Sequence, residues 1–161
     1  MRRITRDNMF MQMAGVVAER GTCNRALVGA VLVDINTNNV VAIGYNGAPS
    51  GNPHCNEVSH KLMDNHCTNA VHAEENCFKK IVTPDWGDTI PVYNLYVTHY
   101  PCKMCMEGIR RLIAERRLKV KKIMYYHPYR KEDVDVSILN NLGKLGCTVV
   151  EYQGVNSHEN T

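Results

Sequence analysis

The chain has 161 residues, 44% hydrophobic and 22% charged, with a formal charge of +3 at pH 7. Those values suit one soluble globular domain over 1–161, long enough to bury an ordinary core. No apolar run nears the roughly 20 residues that span a bilayer, Met1–Asp7 lacks a signal-peptide apolar region, and so mild a charge suits a small anion better than a polynucleotide.

A cytoplasmic location is therefore expected, and no membrane or nucleic-acid partner. The seven cysteines, at 23, 55, 67, 77, 102, 105 and 147, cannot all pair within one chain. In a reducing compartment they read as metal ligands and buried thiols.

In chain order, residues 7–20 place apolar groups at 9, 10, 13, 16 and 17, a helical spacing with Asp7 as N-cap and Gly21 as stop. Leu27–Asp34 and Val40–Tyr45 are β-branched runs around the turn residues 35–39, predicting a hairpin. Residues 44–55 are too rich in Gly, Pro and Asn for an element and form a loop beside the sheet, where ligand contacts concentrate. The polar stretch 56–69 offers His60, His66 and Cys67. A helix is expected from Asn69 or Ala70 to about Val82, stopped by Pro84–Asp88. Then follow a strand at Leu95–Thr98, a helix from Pro101 to about Arg117, a strand at Ile123–Tyr126, a helix at Val134–Leu145 and a strand at Thr148–Val150. Strands alternating with helices after an initial hairpin predict an α/β fold with helices on both faces of the sheet. The polar tail, residues 153–161, is expected to be loose.

The chemistry concentrates in Val71-His72-Ala73-Glu74-Glu75 and Tyr100-Pro101-Cys102-Lys103-Met104-Cys105. His72, Cys102 and Cys105 supply three zinc donors, which leaves the fourth tetrahedral position for water. Cysteines at i and i+3 in an opening helical turn face one metal, and the helix N-terminus favours their thiolates. Zinc lowers the pKa of bound water from about 15.7 toward roughly 7. Glu74 is placed to carry that water's proton to a ring nitrogen and later to a departing amine, work typically worth about 100- to 10,000-fold. The alternative is a closed zinc knuckle with Glu74 at the surface, which would want a fourth Cys or His. Arg110, Arg111, Arg116, Arg117, Lys119, Lys121 and Lys122 read as a solvated helix end, with nucleic-acid or nucleotide contact as the alternative. Cys77 and Cys147 read as core.

His-x-Glu with Pro-Cys-x-x-Cys is the known signature of the zinc nucleobase deaminases. With Cys23–Val31, including Val28-Gly29-Ala30, and the Gly44-Tyr45-Asn46-Gly47-Ala48-Pro49-Ser50-Gly51 loop, the chain resembles the deoxycytidylate deaminase family over residues 5–150. The resemblance implies a three-layer α-β-α cytidine deaminase-like fold around a five-stranded mixed sheet. It implies conversion of dCMP to dUMP for thymidylate synthesis, dCTP activation, dTTP inhibition with Mg2+, and a homohexamer. Carried onto this chain, His72, Cys102 and Cys105 bind Zn2+ and Glu74 shuttles protons. The Ala73 backbone N–H would face the pyrimidine carbonyl, Asn46 would touch base or sugar, and Arg25 and Tyr129 would lie near the phosphate. An exposed salt bridge is the alternative for Arg25, and the core for Tyr129. Some members hold a second zinc, expected here on Cys23, Cys55, Cys67 and either His60 or His66; the alternative is reduced, partly buried cysteines. A tRNA-type deaminase and a catalytically inert zinc scaffold are the rival functions.

Overall fold

The computed structural model describes residues 3–63, 67–81, 89–128 and 134–154, and the backbone of residue 66. Tyr129, the side chain of His66, the expected stop at Pro84–Asp88 and most of the tail lie outside the described residues.

Helix α1 (Arg6–Ala18) is capped by Thr5, whose hydroxyl accepts from the Asn8 amide at 3.1 Å. Thr5 takes the capping role expected of Asp7 because only a residue just outside the helix can turn its side chain back to a first-turn amide. Asp7 instead accepts from the Tyr96 hydroxyl at 2.6 Å and from Lys122 Nζ at 2.9 Å, tying α1 to the sheet. The buried face also differs from expectation. Phe10, Met11, Ala14 and Ala18 are inside, while Met9 and Val16 are exposed. The helix meets the sheet through small residues, which a count of large apolar side chains overlooks. A Cβ on Gly29 would strike the Ala14 carbonyl and the Ala18 backbone, so this strand position has room only for glycine.

Strands β1 (Gly29–Asp34) and β2 (Val40–Tyr45) form the predicted antiparallel hairpin. Asp34 Oδ1 organises its turn by accepting from the amides of Asn36 and Thr37. A small hairpin follows, β3 (Leu62–Met63) with β4 (His66–Cys67), too short to show periodicity in sequence. Helix α2 (Ala73–Phe78) begins later than expected. Val71 exchanges two backbone hydrogen bonds with Gly47, at 2.9 and 3.1 Å, which keeps the chain extended up to His72. Then come β5 (Val92–His99), α3 (Lys103–Ala114), β6 (Lys119–His127), α4 (Val136–Lys144) and β7 (Thr148–Glu151).

The sheet order is β2-β1-β5-β6-β7; β1 pairs antiparallel with both its neighbours, and β5, β6 and β7 are parallel. Side-chain alternation along the strands sorts the core into two layers. Ala30, Leu32, Leu95, Val97 and Ile123 face α2, α3 and α4. Val31, Val33, Tyr96 and Met124 face α1. Burying one such Leu or Val contributes roughly 1.5–3 kcal/mol. The result is the expected three-layer α-β-α arrangement around a mixed five-stranded sheet.

Candidate active site

Two helix N-termini converge at one end of this sheet. Gly44 allows the first: a Cβ there would collide with the Ala73 carbonyl and approach the Cys77 amide, so α2 rests backbone to backbone on β2. Asn76 Nδ2 donates to the Tyr45 carbonyl at 2.9 Å and Lys80 Nζ to the Ile43 carbonyl at 2.8 Å, locking the helix in place. His72 is its N-cap residue. Cys102 is the N-cap residue of α3, and Cys105 lies in that helix's first turn. His72 Nδ1 stands 3.4 Å from Cys102 Sγ and 3.3 Å from Cys105 Sγ.

The three donor atoms lie within 4.8 Å of one another. Among the described residues no fourth His, Cys, Asp or Glu belongs to this group. One borderline nitrogen and two soft sulfurs with a fourth position left over are the donor set and geometry a zinc ion takes. Glu74 is 4% exposed and stays outside the donor set, yet it contacts it through a hydrogen bond with the Cys105 thiol.

The protonation pattern shows how tightly these groups are linked. The hydrogen bond with Cys105 holds the Cys102 thiol down at about 4, aided by His72, while the same bond and burial push Cys105 up. The two sulfurs thus share one proton between them. Contact with Cys102 raises the His72 imidazole against the opposing effect of burial. Burial raises the Glu74 carboxyl, the direction that equips a carboxyl group to carry a proton near neutral pH.

Beside the group opens a cavity of about 290 Å³. Of the expected contacts, Arg25, Asn46 and Ala73 line it. Asn46 is buried and braces the wall: its Oδ1 accepts from the Val28 amide at 2.8 Å, and its Nδ2 donates to the Ala26 carbonyl at 2.7 Å. Ala73, in the first turn of α2, carries one of the amides that no helical carbonyl can take. His99, Tyr100 and His127 also line the cavity and were not foreseen. His99 had a signal, since it lies at the C-terminal end of a strand immediately before the Pro-Cys motif, where open α/β sheets bind ligands. His127 had none, because its place depends on the β5–β6 register. None of the basic residues between 110 and 122 lines this cavity; Arg111 borders a second, more apolar groove between α2 and α3.

The second group expected from the cysteines is assembled from loops. The donor atoms of Cys23, Cys55, His60 and Cys67 lie within 4.8 Å of one another. Cys55 and Cys67 Sγ are 3.6 Å apart, and His60 Nδ1 stands 3.3 Å from Cys67 and 3.9 Å from Cys23. Asn24 Oδ1 sits 2.8 Å from His60 Nε2, which places the ring proton there and leaves Nδ1 turned to the sulfurs as an acceptor. Burial and hydrogen bonding push Cys55 up to about 12; burial opposes ionisation at Cys67 too, but contact with the His60 imidazole and the Asn69 amide brings it down to about 7. Three sulfurs and a nitrogen are four donors, the number and types that a closed structural zinc site takes. Cys77 and Cys147 are core thiols, each pushed up to about 12 by burial.

Residues 4–126 match the family model described as the cytidine and deoxycytidylate deaminase zinc-binding region. ComE operon protein 2 of Bacillus subtilis is 34% identical over 82% of this chain and 67% of its own length. Deoxycytidylate deaminase of Schizosaccharomyces pombe is 31% identical over 85% of this chain, which spans only 42% of that relative. The dCMP deaminase of the cyanophage S-TIM5, solved in complex with dCMP and dUMP, superposes with a TM-score of 0.66 at 26% identity, covering 94% of this chain and all of that one. The fold is the cytidine deaminase-like one, and the chain belongs to the cytidine and deoxycytidylate deaminase family.

Proposed function

We propose that this protein hydrolyses dCMP to dUMP, releasing ammonia and supplying dUMP for thymidylate synthesis. The observation that carries the reading is a buried carboxylate, Glu74, touching a three-donor group that has no fourth protein ligand among the described residues. An inert zinc scaffold has no use for such a carboxylate. The names of the relatives favour dCMP within the family.

Zinc held by His72, Cys102 and Cys105 would supply a Lewis acid that activates water near neutral pH. Glu74 takes a proton from the attacking water and delivers it to N3 of the pyrimidine as the water oxygen bonds to C4. It then takes the remaining proton of the new C4 hydroxyl and passes it to the exocyclic amine as the C4–N bond breaks, so that cytosine and water leave as uracil and ammonia. The Ala73 amide holds the pyrimidine carbonyl, and Asn46 shapes the wall beside base and sugar. Arg25 lies toward the phosphate, where a guanidinium suits a dianion; Tyr129 is assigned to the same end on family likeness.

Cys23, Cys55, His60 and Cys67 hold a second, structural zinc on this reading, supported by their closed four-donor geometry. Activation by dCTP, inhibition by dTTP with Mg2+, a homohexameric assembly and a cytoplasmic location complete the proposal and rest on family likeness. Turnover of dCMP, cytidine, dCTP and tRNA, each with and without added dCTP or dTTP, tests it. Turnover of dCMP above the others is expected; activity on tRNA without activity on dCMP would overturn it.

A further inference from the structure

Two imidazoles form a wall of the cavity without belonging to either donor group. His99 and His127 end the parallel strands β5 and β6 and are partners in register. Their rings pack together with centroids 4.6 Å apart and planes tilted by 41°, and Tyr126 meets His127 edge-on at 4.8 Å. Both histidines line the same cavity as Arg25 and Asn46.

The hydrogen bonds behind the pair define the donors it offers. Thr98 is buried, and its Oγ1 accepts from the Gly29 amide at 3.1 Å while lying 2.9 Å from His99 Nδ1. The hydroxyl thus anchors the ring at Nδ1 and leaves Nε2 as the ring nitrogen open to another partner, a donor when the Thr98 proton is given to Nδ1. Burial, and secondarily the proximity of His127, lowers the His99 imidazole, which favours its neutral form.

Packing alone would be served by any flat ring at these two positions. Two adjoining imidazoles instead bring N–H donors, which an anion satisfies. The rest of the wall agrees: Arg25 contributes a cation, and Glu74 is the single carboxylate lining the cavity among the described residues.

We infer that the His99–His127 pair, together with Arg25, receives the phosphate monoester of the nucleotide and so sets the preference for a 5′-monophosphate over the bare nucleoside. This rests on the dCMP reading above. Imidazole N–H groups donating to a phosphate dianion are charge-assisted hydrogen bonds, and one such bond is worth roughly 10- to 100-fold in affinity.

The test compares wild type with His127→Phe, which keeps a ring beside His99, and with His99→Asn, on dCMP and on deoxycytidine. The ratio of kcat/KM for dCMP to that for deoxycytidine is expected to fall about 10- to 100-fold, mostly through the KM for dCMP. In wild type, the imidazole NMR signals of His99 and His127 are expected to shift with dUMP and with inorganic phosphate, but not with deoxyuridine. An unchanged ratio, an equal loss on both substrates, or ring signals indifferent to phosphate would overturn the inference. Wild type that turns over no dCMP while its histidines still respond to phosphate would instead reject the dCMP reading and leave the anion site standing.

Discussion

Two groups of cysteine and histidine border one cavity, and they are built in opposite ways. His72, Cys102 and Cys105 are delivered by the capped ends of α2 and α3, with a buried carboxylate against them and three donors in all. Cys23, Cys55, His60 and Cys67 come from loops and a two-residue strand, offer four donors, and have Asn24 in place of a carboxylate. The same side chains thus make an open group fit for chemistry and a closed one fit for holding chain together. What separates them is the donor count and the neighbour, not the type of ligand.

Breaking each group in turn sharpens that contrast. The largest effect is expected from Cys102→Ser: zinc content drops by one per chain and dCMP turnover falls below detection, as metal analysis beside an ammonia-release assay would show. Glu74→Gln should keep the full zinc content but lose about 100- to 10,000-fold in kcat. Full activity in that variant would remove Glu74 from the mechanism.

Cys55→Ser is expected to lower zinc content by one per chain while leaving zinc at the other group. Tm should drop by about 5–10 °C, a few kcal/mol at roughly 2–4 °C per kcal/mol for a chain of this size. Metal content near one per chain in the wild type would reject the closed group as a zinc site.

The smallest effect tests the sheet face away from both groups. Asp7→Asn weakens the link to Lys122 and Tyr96, both on the α1 side of the fold, and should cost about 0.5–1 kcal/mol, since this pair is partly exposed and screened. The Tyr96 and Lys122 contacts outweigh the opposing effect of burial and lower the Asp7 carboxyl below its ordinary 3.8. Its contribution is therefore fully present above that value and lost as pH falls through the lower folded one. The Tm difference between variant and wild type should accordingly close in acid and persist at neutral pH.

The grouping of His72, Cys102 and Cys105 was legible because most of its geometry is local. Cys102 and Cys105 share one helical turn, and His72 and Glu74 are two residues apart at a helix start, so spacing alone fixes most of their relations. The hairpin, the alternation of strands and helices, and the core role of Cys77 and Cys147 were legible for the same reason. The face of α1 was not, because contact there runs through Ala14, Ala18 and Gly29 instead of large side chains. The start of α2 was not either, because Gly47, far back in sequence, holds Val71 extended.

By itself, then, the sequence determined the donor types, the carboxylate beside them and the layered α/β plan, all of which depend on neighbours within a few residues. Only the tertiary structure brought His60 to Cys23, Cys55 and Cys67 and laid His99 on His127 across two strands. Those meetings depend on the path of the loops and the register of parallel strands. Both are settled by packing the whole chain at once, and neither leaves a mark on residue spacing.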